Sequence, residues 1–115
     1  DKMGYCRAVR IGNIIEVSGT VAIVDGEKVK ANDEYAQTLN ILERVEKVLE
    51  DLNVGMKDVI RTRIFTTDVS TFDDVAKAHS TFFKEVNPTT GFYGINQLVA
   101  PEYLVESEFT AIAAE

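Results

Sequence analysis

Apolar and polar residues alternate in two short stretches within residues 5–20. The apolar members are Val9, Ile11, Ile15 and Val17. This period of two is typical of β-strands with one buried face, and the two-residue connection Gly12-Asn13 between the stretches indicates a β-hairpin. The second strand ends in Ser18-Gly19, where a glycine permits another group to approach the backbone closely. We expect a polar turn to follow at Asp25-Gly26-Glu27.

Residues 32–55 show a different period, because their apolar side chains recur at steps of three and four residues. The stripe consists of Tyr35, Thr38, Leu42, Val45, Leu49 and Leu52, and is widened by Leu39, Ile41 and Val48. It predicts an amphipathic α-helix of about five turns. Asn32 or Asp33 is suited to cap this helix, and Asn53 or Gly55, which both tolerate a left-handed backbone, ends it.

Residues 58–67 are rich in β-branched side chains and predict a third strand, although Arg61 and Arg63 interrupt one of its faces. A second apolar stripe at helical spacing follows, made of Phe72, Val75, Ala76, His79, Phe82, Phe83 and Val86. It predicts a second amphipathic helix, capped by Ser70 and terminated by Asn87-Pro88.

The last quarter of the chain predicts two more strands, joined across Pro101 as a closing hairpin. In the second of them, Val105, Ser107, Phe109, Ala111 and Ala113 point to one face, and Leu104, Glu106, Glu108, Thr110 and Ile112 to the other. Two carboxylates, Glu106 and Glu108, therefore project from one partly apolar face. Such a face is neither an ordinary core nor an ordinary wet surface, and it is the best functional lead in the sequence.

The predicted order is β-β-α-β-α-β-β, an α+β arrangement in which both helices are amphipathic on one side only. Two helices can cover one face of a small mixed sheet, whereas Arg63, Glu106 and Glu108 lie on the other face among apolar residues. A single chain would expose that face, so we expect other subunits to cover it. The length of 115 residues fits one domain spanning residues 1–115.

Composition narrows the classes of function. The net charge of −7 disfavours partners that are bound through phosphates, so we expect neither nucleic acid nor a membrane as a partner. The single cysteine, Cys6, cannot form an internal disulfide, which indicates a reducing cytoplasm, and we expect it to be an ordinary packed residue. The sequence contains neither metal-ligand spacing nor a glycine-rich phosphate loop.

Taken together, the residues resemble the RidA/YjgF family, also called the endoribonuclease L-PSP family, over nearly the whole chain. The resemblance rests on the order and spacing of several short pieces rather than on any one of them. These pieces are Tyr5…Ala8-Val9…Gly12-Asn13…Val17-Ser18-Gly19, Gln37…Leu42, Asp58-Val59…Thr62…Ile64-Phe65…Asp68, Phe82-Phe83, Pro88, and Leu104-Val105-Glu106-Ser107-Glu108…Ala111-Ile112-Ala113.

The resemblance implies a chorismate-mutase-like α+β fold that assembles as a homotrimer with small-molecule clefts between subunits. Active members of the family hydrolyse reactive enamines and imines, such as 2-aminoacrylate, to a 2-oxo acid and ammonia. They use neither a metal nor an organic cofactor, so we expect none here. In their site an Arg binds the substrate carboxylate, and a Glu on the last strand positions or activates water.

Transferred to this sequence, the resemblance implies that the catalytic Glu is Glu106 and that Tyr5 and Ser18-Gly19 complete the pocket. The position of the Arg is occupied by Thr90, and Phe92 stands where a small residue or Cys is common. A guanidinium binds a carboxylate through two charge-assisted hydrogen bonds, whereas a threonine hydroxyl offers one neutral bond. We therefore expect an apolar pocket floor and a substrate without a free carboxylate.

The sequence alone allows two interpretations of several residues. Glu106 is either an acid/base catalyst or part of an intersubunit hydrogen-bond network, and Glu108 could raise its pKa. Arg61 or Arg63 could supply the missing cation, although pairing with the glutamates on the neighbouring strand is favoured. His79 lies on an apolar helical stripe and is interpreted as structural. Tyr93 and Tyr103 either line the cleft or pack between subunits.

The sequence and the resemblance leave three candidate functions. The first is a cofactor-independent hydrolase or deaminase of imines, enamines or related reactive metabolites, and the second is a non-catalytic small-molecule-binding or regulatory trimer. The third, a ribonuclease, is disfavoured because it requires a basic track that this acidic chain lacks.

Overall fold

The computed structural model describes residues 4–25 and 29–114. Their secondary-structure elements are β1 (Ala8–Ile11), β2 (Ile14–Thr20), α1 (Glu34–Asp51), β3 (Val59–Thr66), α2 (Phe72–Phe83), β4 (Thr89–Gly94) and β5 (Val105–Ile112). This confirms the predicted order β-β-α-β-α-β-β. The predicted turn at Asp25-Gly26-Glu27 lies largely outside the described residues.

The strands form one mixed sheet in the order β1-β2-β5-β3-β4. The predicted hairpin of β1 and β2 is present, and Gly12 in its turn has the positive φ of 61° that such a tight connection favours. The predicted closing hairpin is wrong, because β4 pairs in parallel with β3 and β5 inserts between β2 and β3. The helix α2 supplies the crossover that a parallel pair requires.

The helix ends follow local hydrogen bonding. The side chain of Asp33 caps α1 by accepting a hydrogen bond from the Ala36 amide at 2.9 Å, and Asn53, with φ 62°, follows its last turn. The predicted cap of α2 by Ser70 is wrong. Asp68 instead accepts a bond from the Ser70 amide and starts a short 3-10 turn that leads into the helix.

The core lies between the two helices and one face of the sheet. Its buried members include Ile15, Val17, Val105, Phe109 and Ala111 from the sheet, and Ile41, Leu42, Val45, Leu49, Val75 and Phe83 from the helices. The odd-numbered residues of β5 therefore point to the core, as predicted. Glu106 and Glu108 consequently lie on the opposite face of the sheet.

We call this opposite surface the open face, and it carries Glu106, Glu108 and Ile112 of β5 with the residues beside them on neighbouring strands. Ile14 pairs with Ile112 there, and Ile14 and Ile11 are 53% and 74% exposed. The described helices pack on the other side of the sheet, so within one chain these apolar side chains remain in water. No helix in the described parts of the chain has the length and apolar character needed to cross a membrane.

Candidate functional site

A cavity of about 510 Å³ lies where β2 ends and β5 begins. Its lining comes from the segment before β1, the end of β2, the segment that follows β2, the helix α1, and the connection between β4 and β5. The lining residues used below are Tyr5, Arg7, Ser18, Gly19, Val21, Arg44, Tyr103 and Glu106. Four of the residues predicted to form the site are thus brought together: Tyr5, Ser18, Gly19 and Glu106.

The carboxyl group of Glu106 lies directly over Gly19. A Cβ atom added at Gly19 would lie far inside van der Waals contact with Oε2 of Glu106. The missing side chain of Gly19 therefore creates the space that the carboxyl group occupies. The sequence indicated a close backbone approach at this glycine, and the structure identifies Glu106 as the group that approaches.

The pKa of Glu106 is raised above that of an ordinary glutamate, first by burial and then by the negative charge of Glu108. Glu108 itself is turned towards Arg63, with Nη1 and Oε1 3.8 Å apart, which confirms the predicted pairing for Arg63. Among the described residues, Glu106 has no ion-pair partner. Its carboxyl group is thus partly desolvated, unpaired and directed into a cavity, as an acid/base catalyst requires.

Ser18 connects the end of β2 to the segment that carries Tyr5. Its hydroxyl donates a hydrogen bond to the Cys6 carbonyl at 2.7 Å, and its amide donates to the Arg7 carbonyl at 2.9 Å. The role of Ser18 within the chain is therefore to hold this segment against the cavity. Cys6, predicted to be packed, is exposed and lies before β1.

The structure places Thr90 and Phe92 in a different pocket from Glu106. They line a smaller cavity of about 170 Å³ on the helix-covered side of the sheet, together with Phe72 and His79. The Thr90 hydroxyl donates to the Pro88 carbonyl and accepts a bond from Thr62 at 2.9 Å. Within one chain these two residues do not meet the glutamate, so their predicted place in a shared cleft stays a prediction about the assembly.

His79 is held by a hydrogen bond of 3.0 Å between its Nε2 and the Thr62 hydroxyl. Burial lowers the pKa of His79, and its ring packs against Phe83 at a centroid distance of 4.6 Å. This agrees with the structural interpretation of the residue and places it on the side of the sheet away from Glu106.

Tyr93 and Tyr103, for which the sequence allowed either a cleft or a packing position, lie in different parts of the structure. Tyr103 lines the cavity that contains Glu106, whereas Tyr93 stacks on Phe65 on the open face with ring centroids 5.5 Å apart. Among the described residues, Arg61 has a buried Nε atom without a hydrogen-bond partner. Neither Arg61 nor Arg63 lines the cavity.

Sequence reasoning missed two cationic residues of the cavity, Arg7 and Arg44. Nη1 of Arg44 donates a hydrogen bond to the Val21 carbonyl. The pKa of Arg44 is lowered, first by burial and then by the positive charge of Arg7, while Tyr103 acts in the opposite direction. In the sequence Arg44 is one of several charged residues on the polar side of a helix, so nothing distinguished it.

No group of three or more His, Cys, Asp or Glu side chains within residues 4–25 and 29–114 is arranged to hold a metal ion.

Comparison with known proteins agrees with the fold. Residues 2–113 match the family model described as Endoribonuclease L-PSP. A crystal structure of a YjgF/YER057c/UK114 family member from Mycobacterium tuberculosis superposes with a TM-score of 0.89 at 38% identity, covering 97% of this chain and 89% of that one.

Two of the similar proteins are named as deaminases. The 3-aminoacrylate deaminase RutC of Acinetobacter baylyi is 28% identical over 89% of this chain and 81% of its own length. The 2-iminobutanoate/2-iminopropanoate deaminase of Salmonella typhimurium is 28% identical over 74% of this chain and 66% of its own length. The chain therefore belongs to the endoribonuclease L-PSP family, the RidA/YjgF family that its sequence resembles.

Proposed function

We propose that this protein is a cofactor-independent hydrolase that deaminates small, reactive imines and enamines. The observation that carries the proposal is the carboxyl group of Glu106, which occupies the space above Gly19 in a cavity and has a raised pKa. A carboxyl group whose pKa lies closer to neutrality is a better general acid/base than an ordinary surface glutamate. The names of two deaminase relatives support the same class of reaction.

In the proposed reaction an enamine first tautomerises to its imine, which is protonated on nitrogen. Ionised Glu106 takes a proton from a water molecule while the water oxygen bonds to the imine carbon. The product is a neutral carbinolamine, and Glu106 now carries the proton. Glu106 then returns this proton to nitrogen, the C–N bond breaks, and ammonia leaves with the bonding electrons. The hydroxyl proton departs with ammonia as ammonium, leaving a carbonyl compound and an ionised Glu106.

The test is an assay in which a pyridoxal-dependent dehydratase generates 2-aminoacrylate or 2-iminobutanoate in the cuvette. We expect the protein to accelerate release of the 2-oxo acid above the rate of spontaneous hydrolysis, because the cavity supplies a positioned acid/base. Boiled protein and dehydratase alone are the controls. If these and neutral imines were all hydrolysed at the spontaneous rate, the protein would instead be the non-catalytic binding trimer.

We also propose that the protein associates with copies of itself as a homotrimer through the open face. Exposed Ile11 and Ile14, and the buried Nε of Arg61 that has no partner among the described residues, support a covering subunit at this face. The small-molecule cavity would then lie beside a subunit boundary, where Thr90 and Phe92 of a neighbouring copy could contribute to it.

Sedimentation analysis is expected to give three times the mass of 12.8 kDa. Replacing Ile14 by Arg should shift the distribution towards monomer, because it places a charge in the apolar part of the open face. Val69→Arg is the matched control, since Val69 is similarly exposed, at 56%, but lies before α2. A wild-type protein that sediments as a monomer at micromolar concentration would contradict the proposal.

A further inference from the structure

We infer that Arg7 and Arg44 form an anion-binding subsite in the Glu106 cavity and bind the carboxylate of the substrate, the task for which Thr90 lacks a cation. This inference rests on the proposed function for the identity of the substrate, which it narrows to imines and enamines that carry an acidic group. It replaces the expectation of a substrate without a carboxylate, which considered only position 90 and the arginines of β3.

The two guanidinium groups share one cavity with the proposed acid/base. Arg7 enters it from the segment before β1, and Arg44 enters it from α1, whereas Glu106 comes from β5. Burial lowers the pKa of Arg44, and the nearby positive charge of Arg7 lowers it further. Two like charges are thus held near each other, one on the exposed Arg7 and one on the partly buried Arg44.

Acidic side chains of the described residues do not compensate these charges. Neither Arg7 nor Arg44 forms an ion pair with a described carboxylate, although the whole chain has 19 acidic residues and a net charge of −7. Both guanidinium groups therefore remain available to an anionic ligand. Bringing an anionic ligand between them would relieve their mutual repulsion and add charge-assisted hydrogen bonds.

Arg44 is also fixed in position before a ligand arrives. One of its N–H groups is bonded to the Val21 carbonyl, and the same segment is held on α1 because the Asn40 side chain accepts a bond from the Ile23 amide at 2.8 Å. A guanidinium has five N–H donors, so the remaining ones can serve a carboxylate as a fork. Holding the group beforehand lowers the entropic cost of binding.

Arg7 is positioned by the same strand end that positions the acid/base. Its carbonyl accepts a hydrogen bond from the Ser18 amide, and the next residue, Gly19, makes room for the Glu106 carboxyl. One short piece of backbone thus sets both the cationic and the acid/base side of the cavity. The cavity volume of about 510 Å³ exceeds the volume of a short substrate with a carboxylate near its imine carbon. Such a substrate can therefore contact the arginines and the acid/base at the same time.

The test is an NMR titration of the assembled protein with 2-oxobutanoate, the product of 2-iminobutanoate hydrolysis, and with its neutral amide, 2-oxobutanamide. We expect the wild type to bind the carboxylate at least tenfold more tightly than the amide. In Arg7→Gln and Arg44→Gln the carboxylate should bind about tenfold or more weakly, while binding of the amide stays within about twofold. Lys47→Gln, which removes the same charge from the exposed side of α1, should match the wild type.

Arg44→Gln removes a contact to Val21 and could loosen the fold, so Arg7→Gln, whose side chain is exposed, provides an independent test. Equal binding of carboxylate and amide by the wild type, or an unchanged carboxylate affinity in Arg7→Gln and in a folded Arg44→Gln, would overturn the subsite. Carboxylate binding that depends on both arginines, without acceleration of imine hydrolysis, would instead retain the subsite and remove the proposed enzymatic function. The two failures are therefore distinguishable.

Discussion

Replacing Glu106 by Gln is expected to lower kcat for imine hydrolysis by roughly 10²–10⁴-fold, the usual contribution of a positioned general acid/base. The amide has nearly the same size and can occupy the same space above Gly19, but it can neither take a proton from water nor return one to the leaving amine. Because the cavity retains its shape, binding of 2-oxobutanoate should change little. Steady-state assays and the NMR titration described above separate these two effects.

Glu108→Gln is the matched control, since Glu108 lies two residues away on the same strand and faces the same side of the sheet. It is turned towards Arg63 and does not line the cavity, so kcat should fall by much less than in Glu106→Gln. An equal decrease of kcat in the two variants would indicate that the negative charge of the open face as a whole, rather than the Glu106 carboxyl group, supports the reaction. An unchanged kcat in Glu106→Gln would remove the proposed mechanism.

The pH dependence follows from the raised pKa of Glu106. Hydrolysis needs the ionised carboxylate, so kcat/KM should fall with decreasing pH through this raised pKa, above the ordinary glutamate value of 4.5. The free energy of unfolding has the opposite dependence on pH. The folded state holds this proton more tightly than the unfolded chain, so ionisation of Glu106 destabilises the fold as pH rises through that window. Glu106→Gln should therefore melt slightly higher than the wild type at neutral pH, and the difference should shrink on acidification.

Replacing Gly19 by Ala is expected to lower kcat by about tenfold to a hundredfold, because the new methyl group displaces the Glu106 carboxyl. The backbone of Gly19 does not have the positive φ that would penalise alanine. The atoms that the methyl group meets belong to the far end of a flexible side chain, which can rotate away at little cost. We therefore expect a large loss of activity with only a small change in melting temperature.

Gly55→Ala is the control, because its added Cβ would meet only Lys57 at an ordinary 3.9 Å, remote from the cavity. Activity and thermal melting of both variants should be measured in parallel. Full activity in Gly19→Ala would mean that the carboxyl position above the glycine is unimportant for catalysis. A strongly lowered melting temperature would mean that Gly19 serves the fold instead.

The sequence determined the elements of this protein because their signals are local. The alternation around Gly12-Asn13 specifies a hairpin, the stripe that begins after Asp33 specifies α1, and the period of two in β5 places Glu106 away from the core. Each pattern depends on spacing within one element, which backbone geometry alone fixes. Short motifs are also local, and through them the sequence identified the family. The resemblance to that family predicted four residues of the cavity: Tyr5, Ser18, Gly19 and Glu106.

The arrangement of strands depended on tertiary structure. Adjacency in sequence favoured a closing hairpin, but α2 carries the chain across so that β4 joins β3 in parallel and β5 takes the centre of the sheet. Whether two consecutive strands pair depends on a short connection and on the backbone hydrogen bonds that a strand gains from two neighbours at the centre of a sheet. A local pattern of apolar residues does not record the second contribution.

The cavity also belongs to the tertiary structure. Arg44 is an ordinary polar position in the helical pattern, and Arg7 precedes the first strand. The fold nevertheless brings both into the cavity that Glu106 lines, about sixty residues or more away in sequence. Thr90, which the family motif places with the glutamate, is instead bonded to Thr62 on the other side of the sheet within one chain. Sequence thus determined which acid is available and which face it occupies, because alternation is local. Only the packing of distant segments decided which cations surround it.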